Sequence, residues 1–342
     1  MTNKRIETET YAILNNLDWT ITKLNPIIKN DGYEFVPITL QKLELNFSEV
    51  FNISREFKPN QRIVKSIEKD GFNMISDQFQ DALKYYFTLH PGSEEYPPDH
   101  EVYLLKKITN TYTEKGESYF LIDEPTSAQI KITDYAAQFI RKLRLYKSGQ
   151  IDFQGCFSIF KEDRHVISKY KTPRNPIWGL YTVDDSDLES INKLLDNKIY
   201  IPELLKLAIE SFELAYDSTN PKIKFTILMM GLESIFNRSS QEPIKHIISR
   251  HLALTLATNE KEFDELYNKT KKLYNTRCDI VHGNPEKNKI EKLNVRIKDE
   301  LYELEELTRK VIIKLLWFHD AEVGEPTRDS LFNYLNKKGY NI

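Results

Sequence analysis

The spacing of apolar residues along this chain changes near its middle. Up to residue 170 they alternate with polar residues in short runs. The stretches 35–40, 43–47, 119–122 and 130–132 follow the period of two that marks a half-buried strand. Two stretches depart from this pattern: 78–87, and 134–146, where Ala137, Ile140, Leu143 and Leu145 form an apolar helical face. Lys147-Ser148-Gly149-Gln150 then turns the second helix into a strand over 151–160, and 165–170 supplies its hairpin partner. The pattern predicts a β-rich α+β domain over residues 1–180.

The break comes at 171–176, where Pro173 and Pro176 stand in a polar stretch, followed by Asp184, Asp185 and Ser186. Ser186 and Glu189 have capping-box spacing. No strand signal of any strength follows. Pro202 precedes an apolar stripe of Leu204, Leu205, Ala208, Ile209, Phe212 and Ala215, and Asn220-Pro221 and Pro243 mark two further helix starts. Ile297, Leu301, Leu304, Thr308, Val311, Leu315 and Phe318 advance by alternating steps of four and three, the spacing of a seam packed on a neighbouring helix. An all-α bundle is therefore expected over 185–322. Gly324 and Pro326 end it, and the tail 323–342 holds a short helix near 330–337.

Composition narrows the function classes. A chain of 342 residues, 40% of them apolar, can bury two cores. A net charge of −3 argues against a protein that coats nucleic acid through domain-wide positive charge and leaves room for a local basic site. Cys156 and Cys278 are too few for a disulfide scaffold or a zinc cluster, and they fit a reducing, cytoplasmic setting. The first ten residues lack the apolar core of a signal peptide, and no window approaches the roughly 18 apolar residues of a membrane span, so no membrane partner is expected.

The chemistry concentrates in the run 274–283. Arg277 and His282 lie on one predicted helix, about 7.5 Å apart along its axis and about 140° around it, so the long arginine must reach across. Gly283 supplies the left-handed residue that commonly closes a helix, which places His282 in the last turn, beside unpaired carbonyls. A guanidinium that stays charged, next to an imidazole that exchanges a proton near neutrality, suits cleavage of a phosphodiester by its own ribose 2′-OH. That reaction needs no metal. The spacing alone arises by chance in roughly a quarter of such chains, so its context has to carry the assignment.

The context is an ordered set of helices with LE at 232–233, SRHLAL at 249–254 and LYNTRCDIVHG at 273–283. This order resembles the HEPN superfamily, most closely its Apea-like branch, over about residues 200–320. The resemblance implies an all-α bundle that dimerises. In active members it also implies a metal-independent endoribonuclease in which the arginine and histidine of both protomers form one composite site. Carried onto this chain, the site is Arg277 and His282. The position after the arginine is usually polar in the family and here is Cys278, which leaves Asn275 or Asp279 to orient the histidine.

Other residues are weighed around that pair. Glu233 lies in a helix too apolar to leave a carboxylate unpaired, and Arg250 or Arg277 is its expected partner. His246 and Arg250, four apart on one helix, offer a phosphate contact. Lys269, Lys271 and Lys272 either steer RNA or form a solvated helix face. His246 and His251 lack the spacing of a two-histidine metal site, so no metal and no other cofactor is expected. Trp19, Trp178 and Trp317 are too scattered for a base-stacking platform. The expectation is a homodimeric ribonuclease acting on tRNA or other RNA. The family association implies an antiphage, abortive-infection or toxin role, with an N-terminal domain that binds a phage or cellular trigger. The alternative is a catalytically inactive HEPN module that dimerises and binds RNA or a nucleotide, or serves as a sensor.

Overall fold

The computed structural model describes residues 4–15, 17–39, 101–113, 127–149, 151–160, 165–170, 181–196, 201–237, 243–283, 287–318 and 327–338. The runs expected at 43–47, 78–87 and 119–122 lie outside these residues. The protein is mostly helical with a small antiparallel sheet, an α+β architecture. Its contacts divide the chain into two units, Met1–Arg144 with Ser148–Asp196, and Leu145–Lys147 with Asn197–Ile342. No helix among the described residues is long and apolar enough to cross a membrane.

The first unit is built on five antiparallel strands: β1 (Lys4–Asn15), β2 (Tyr33–Thr39), β3 (Glu101–Thr113), β4 (Asp152–Phe160) and β5 (His165–Tyr170). Their order is β2-β3-β1-β4-β5. β1 is the central strand, yet it is not among the predicted runs, because its first seven residues are polar at all but one position. Pairing on both sides holds it. Thr10 lies opposite Lys107 of β3 and Ser158 of β4, and the Thr10 and Ser158 hydroxyls meet at 3.0 Å. β2, β4 and β5 form where the alternation places them, and β4 and β5 pair as antiparallel neighbours.

Helix α1 (Ser127–Tyr146) packs on β2, with the Phe139 and Phe35 rings 5.6 Å apart and Tyr135 stacked on Tyr33 at 3.7 Å. Residues 130–132, expected as a strand, belong to this helix instead. Three residues are too few to fix a period, and Ile132, Ala136, Phe139 and Leu143 continue as one buried helical stripe. Ala137, expected on the apolar face, is exposed. Helix α2 (Leu188–Leu195) follows a 3-10 turn over Asp185–Asp187. The reciprocal cap sits at Asp184 and Asp187, two residues before the expected Ser186 and Glu189, because the chain leaves its extended conformation at Asp184; the Asp184 N–H donates to Asp187 Oδ2 at 2.9 Å.

The second unit is helical throughout its described residues: α3 (Glu203–Asp217), α4 (Pro221–Phe236), α5 (Ile244–Leu256), α6 (Glu260–His282), α7 (Lys287–Leu316) and α8 (Arg328–Lys338). Asn220 caps α4, its Oδ1 accepting from Lys222 N at 2.9 Å, with Pro221 in the first turn, where no N–H is missed. α3 and α4 approach closely at Gly231, where a Cβ would stand 3.2 Å from Ser211 Cβ. The predicted seam of α7 is buried from Ile297 through Leu315. It also carries a fully enclosed polar cluster. Glu305 accepts from Tyr216 of α3 at 2.6 Å and from Arg309 at 2.7 Å, and Lys224 of α4 lies 3.5 Å away. Removing one member would strand buried charge, so the cluster fixes how α3, α4 and α7 fit together. α8 docks on α5, where the Lys338 ammonium donates to the carbonyls of Leu254 and Ala257, both at 2.8 Å.

Candidate functional site

The site is built where α6 crosses α4. Asn259 caps the start of α6, accepting from Glu262 N at 2.9 Å, and the helix then runs 23 residues without a break to His282. Arg277 and His282 are therefore held by one rigid element. Arg277 is half-buried and faces Glu233 of α4, with Nη2 donating to Oε2 at 3.5 Å. Its Nε lies 3.3 Å from Oε1, close enough for an ion pair but with poor alignment for a hydrogen bond. The guanidinium also stands 5.7 Å from the centre of the Tyr274 ring, one turn back on the same helix. Of the two partners weighed for Glu233, the fold supplies Arg277.

Burial pushes the Glu233 carboxyl above the usual carboxylate range, and the Arg277 charge pulls in the opposite direction. The side chains of the pair retain 21% and 19% exposure, so Glu233 restrains the guanidinium without fully closing it off from solvent. His282 is exposed in the last turn of α6. Gly283 has the positive φ expected of it, 70°, but its ψ of 157° is extended rather than left-handed helical. The chain thus leaves α6 through a conformation open essentially only to glycine.

The remaining candidates separate. Asp279 pairs with Arg296 of α7, a residue with no place in the sequence reading, and thereby ties the last turn of α6 to α7. Asn275 is exposed, and its Oδ1 accepts from Lys245 Nζ at 3.2 Å. Cys278 is a half-buried free thiol. Lys272 Nζ lies 3.1 Å from the buried carboxylate of Glu300, which also accepts from Thr276 at 2.6 Å. His246 Nδ1 meets the Tyr267 hydroxyl at 2.9 Å, and Arg250 donates to Asn336 of α8 at 2.8 Å. His246 and Arg250 share α5 but are occupied by different neighbours. The fold therefore brings Arg277, Glu233 and Tyr274 together, sets His282 on the same helix, and disperses Arg250, His246 and Lys272.

Tyr274 could have been found from the sequence, since it lies three residues before Arg277. Arg296 and Glu300 could not, because their roles depend on the register of α7 against α6. Comparison with protein-family models, with curated proteins and with solved structures finds no match for this chain.

Proposed function

We propose that the chain is a HEPN-type endoribonuclease that cuts RNA without a metal, through a site that two copies complete. The observation that carries this reading is the half-buried Arg277, held by Glu233 on one helix with an exposed His282. A guanidinium restrained by a carboxylate and not closed off from solvent can grip a phosphate in a fixed orientation. In the proposed reaction one His282 takes the proton of the ribose 2′-OH while O2′ bonds to phosphorus. The P–O5′ bond breaks, the His282 of the second copy gives a proton to O5′, and Arg277 stabilises the charge on the pentacoordinate phosphorus. The products are a 2′,3′-cyclic phosphate and a 5′-OH.

Acid and base must stand on opposite sides of the scissile phosphate, and each chain carries one such histidine. A two-fold dimer supplies the second. A surface next to the site supports that arrangement. Leu207 and Leu214 of α3 and Ile223 and Met230 of α4 are 58%, 57%, 51% and 52% exposed. Each pair is seven residues apart, so each helix exposes two apolar residues on one of its faces, and Met230 lies one turn before Glu233. A role in antiphage defence, with a trigger bound by the first unit, belongs to the same proposal through the family resemblance.

The test is to incubate the full chain with bulk tRNA and total RNA in EDTA, beside the Arg277→Ala/His282→Ala variant. Cleavage by the parent alone, with cyclic-phosphate ends, is the expected result. Intact RNA, or cutting that needs added magnesium, would overturn the proposal and leave an inactive module.

A further inference from the structure

A second feature of the helical unit lies away from Arg277. The C-terminal end of α5, the first half of α6 and the last turns of α7 line an open groove of about 540 Å³. Its floor is apolar, formed by Leu256, Leu266 and Leu307, and its rim carries Lys310, Lys314 and Trp317. The three rim residues follow helical steps of four and three, Lys310 and Lys314 on α7 and Trp317 in the turn directly after it, so they share one face. Trp317 is 51% exposed.

The charge at this rim is unbalanced. Lys269 of the same unit faces Glu303 at 2.6 Å and Lys272 faces Glu300 at 3.1 Å. Lys310 and Lys314 have no carboxylate within ion-pair distance among the described residues. A third ammonium adds to the field: Lys338, with its carbonyl partners on α5, is held below the usual lysine range by burial and by the neighbouring Lys314. A groove with an apolar floor, an open indole and unpaired ammonium groups is complementary to an anionic ligand that has flat apolar rings. Single-stranded nucleic acid combines these features, with bases that stack on an aromatic face and phosphates that follow the cations. Lys310 and Lys314 are about 6 Å apart along α7, which suits neighbouring phosphates of one extended strand.

We infer that this groove is a docking site for single-stranded RNA, with a base stacked on Trp317 and adjoining phosphates on Lys310 and Lys314. Leu266 and Arg277 lie on α6 about 16 Å apart along its axis, so a strand of a few nucleotides spans groove and site. The choice of RNA over DNA rests on the proposed ribonuclease reading; the affinity for a single strand does not.

The experiment uses the full chain carrying Arg277→Ala/His282→Ala, so that no strand is cut, and a fluorescein-labelled single-stranded RNA of about ten nucleotides, within the usual site size. Anisotropy should show binding that Trp317→Ala weakens roughly tenfold and Trp317→Phe largely retains. Lys310→Gln/Lys314→Gln should reduce the slope of log affinity against log salt by about 1.4. Thermal unfolding checks each variant, and if Trp317→Ala is unfolded, the lysine salt slope decides. Unchanged affinity and slope in the folded variants would overturn the inference, as would preferential capture of an acidic amphipathic helical peptide over the RNA. Cleavage by the parent is scored separately, so groove binding without cleavage removes the ribonuclease reading alone, and cleavage without groove binding removes this inference alone.

Discussion

Glu233 and Arg277 test each other's role. Replacing Glu233 with Gln keeps the shape and an acceptor while removing the charge that restrains Arg277. Cleavage should fall about tenfold with little change in unfolding, since the pair is half-buried and contributes on the order of 1 kcal/mol. A variant that cuts as well as the parent would show that Glu233 only packs. His251 makes a separate prediction about stability. Its ring is buried against the edge of Phe332 at 4.4 Å, and burial, reinforced by the Arg250 charge, pushes its pKa from the ordinary 6.5 down to about 4. The folded chain therefore refuses a proton that the unfolded chain accepts. Its contribution is fully present above about pH 6.5 and is lost as pH falls toward 4, a loss on the order of 3 kcal/mol. Urea unfolding at pH 7 and pH 4.5 should show this fall in the parent and a smaller one in His251→Gln; equal falls would refute it.

At the scale of elements, the last turn of α6 governs the site. It carries His282, and after it the chain departs through the extended, positive-φ Gly283. Sideways support comes from the Asp279 to Arg296 pair on α7. If that tether sets the position of His282, Asp279→Ala and Arg296→Ala should lower cleavage to a similar extent, severalfold each, and the double variant should be little worse than either. Strictly additive losses would mean that the two residues act separately, for instance with Asp279 orienting the histidine itself. The end of α6 was legible in the sequence because Gly283 directly after His282 is a local signal, although its ψ of 157° is not the left-handed helical one expected. The Arg296 tether was not, because it depends on how a 30-residue helix lies against its neighbour.

For the molecule as a whole, the proposed composite site makes activity inseparable from assembly. The exposed apolar residues of α3 and α4 are where a second copy would seat. Introducing charge there with Leu214→Glu/Met230→Glu should leave the helical unit folded, shift sedimentation from dimer to monomer at micromolar concentration, and abolish cleavage, because a buried unpaired carboxylate is costly at an interface. A parent chain that sediments as a monomer and still cuts RNA would remove the two-copy site.

The sequence by itself determined the elements whose signals are local. Helices α3 to α7 follow from apolar steps of three and four, with proline or asparagine at several starts, and β2, β4 and β5 follow from alternation. It also placed Arg277 and His282 on one helix. The tertiary structure decided what depends on residues far apart in the chain. β1 is polar for most of its length and exists because β3 and β4 pair with it on both sides. Residues 130–132 became helix because Ile132 shares a buried face with Ala136 and Phe139. Glu233 pairs with Arg277, while Arg250 meets Asn336 of α8. Trp317, one of three tryptophans scattered in sequence, shares a face with Lys310 and Lys314 by helix spacing alone, but the groove beside it formed only when α5, α6 and α7 came together. Local periodicity encodes which residues share a face, but the partner of that face is set by packing among elements many residues apart.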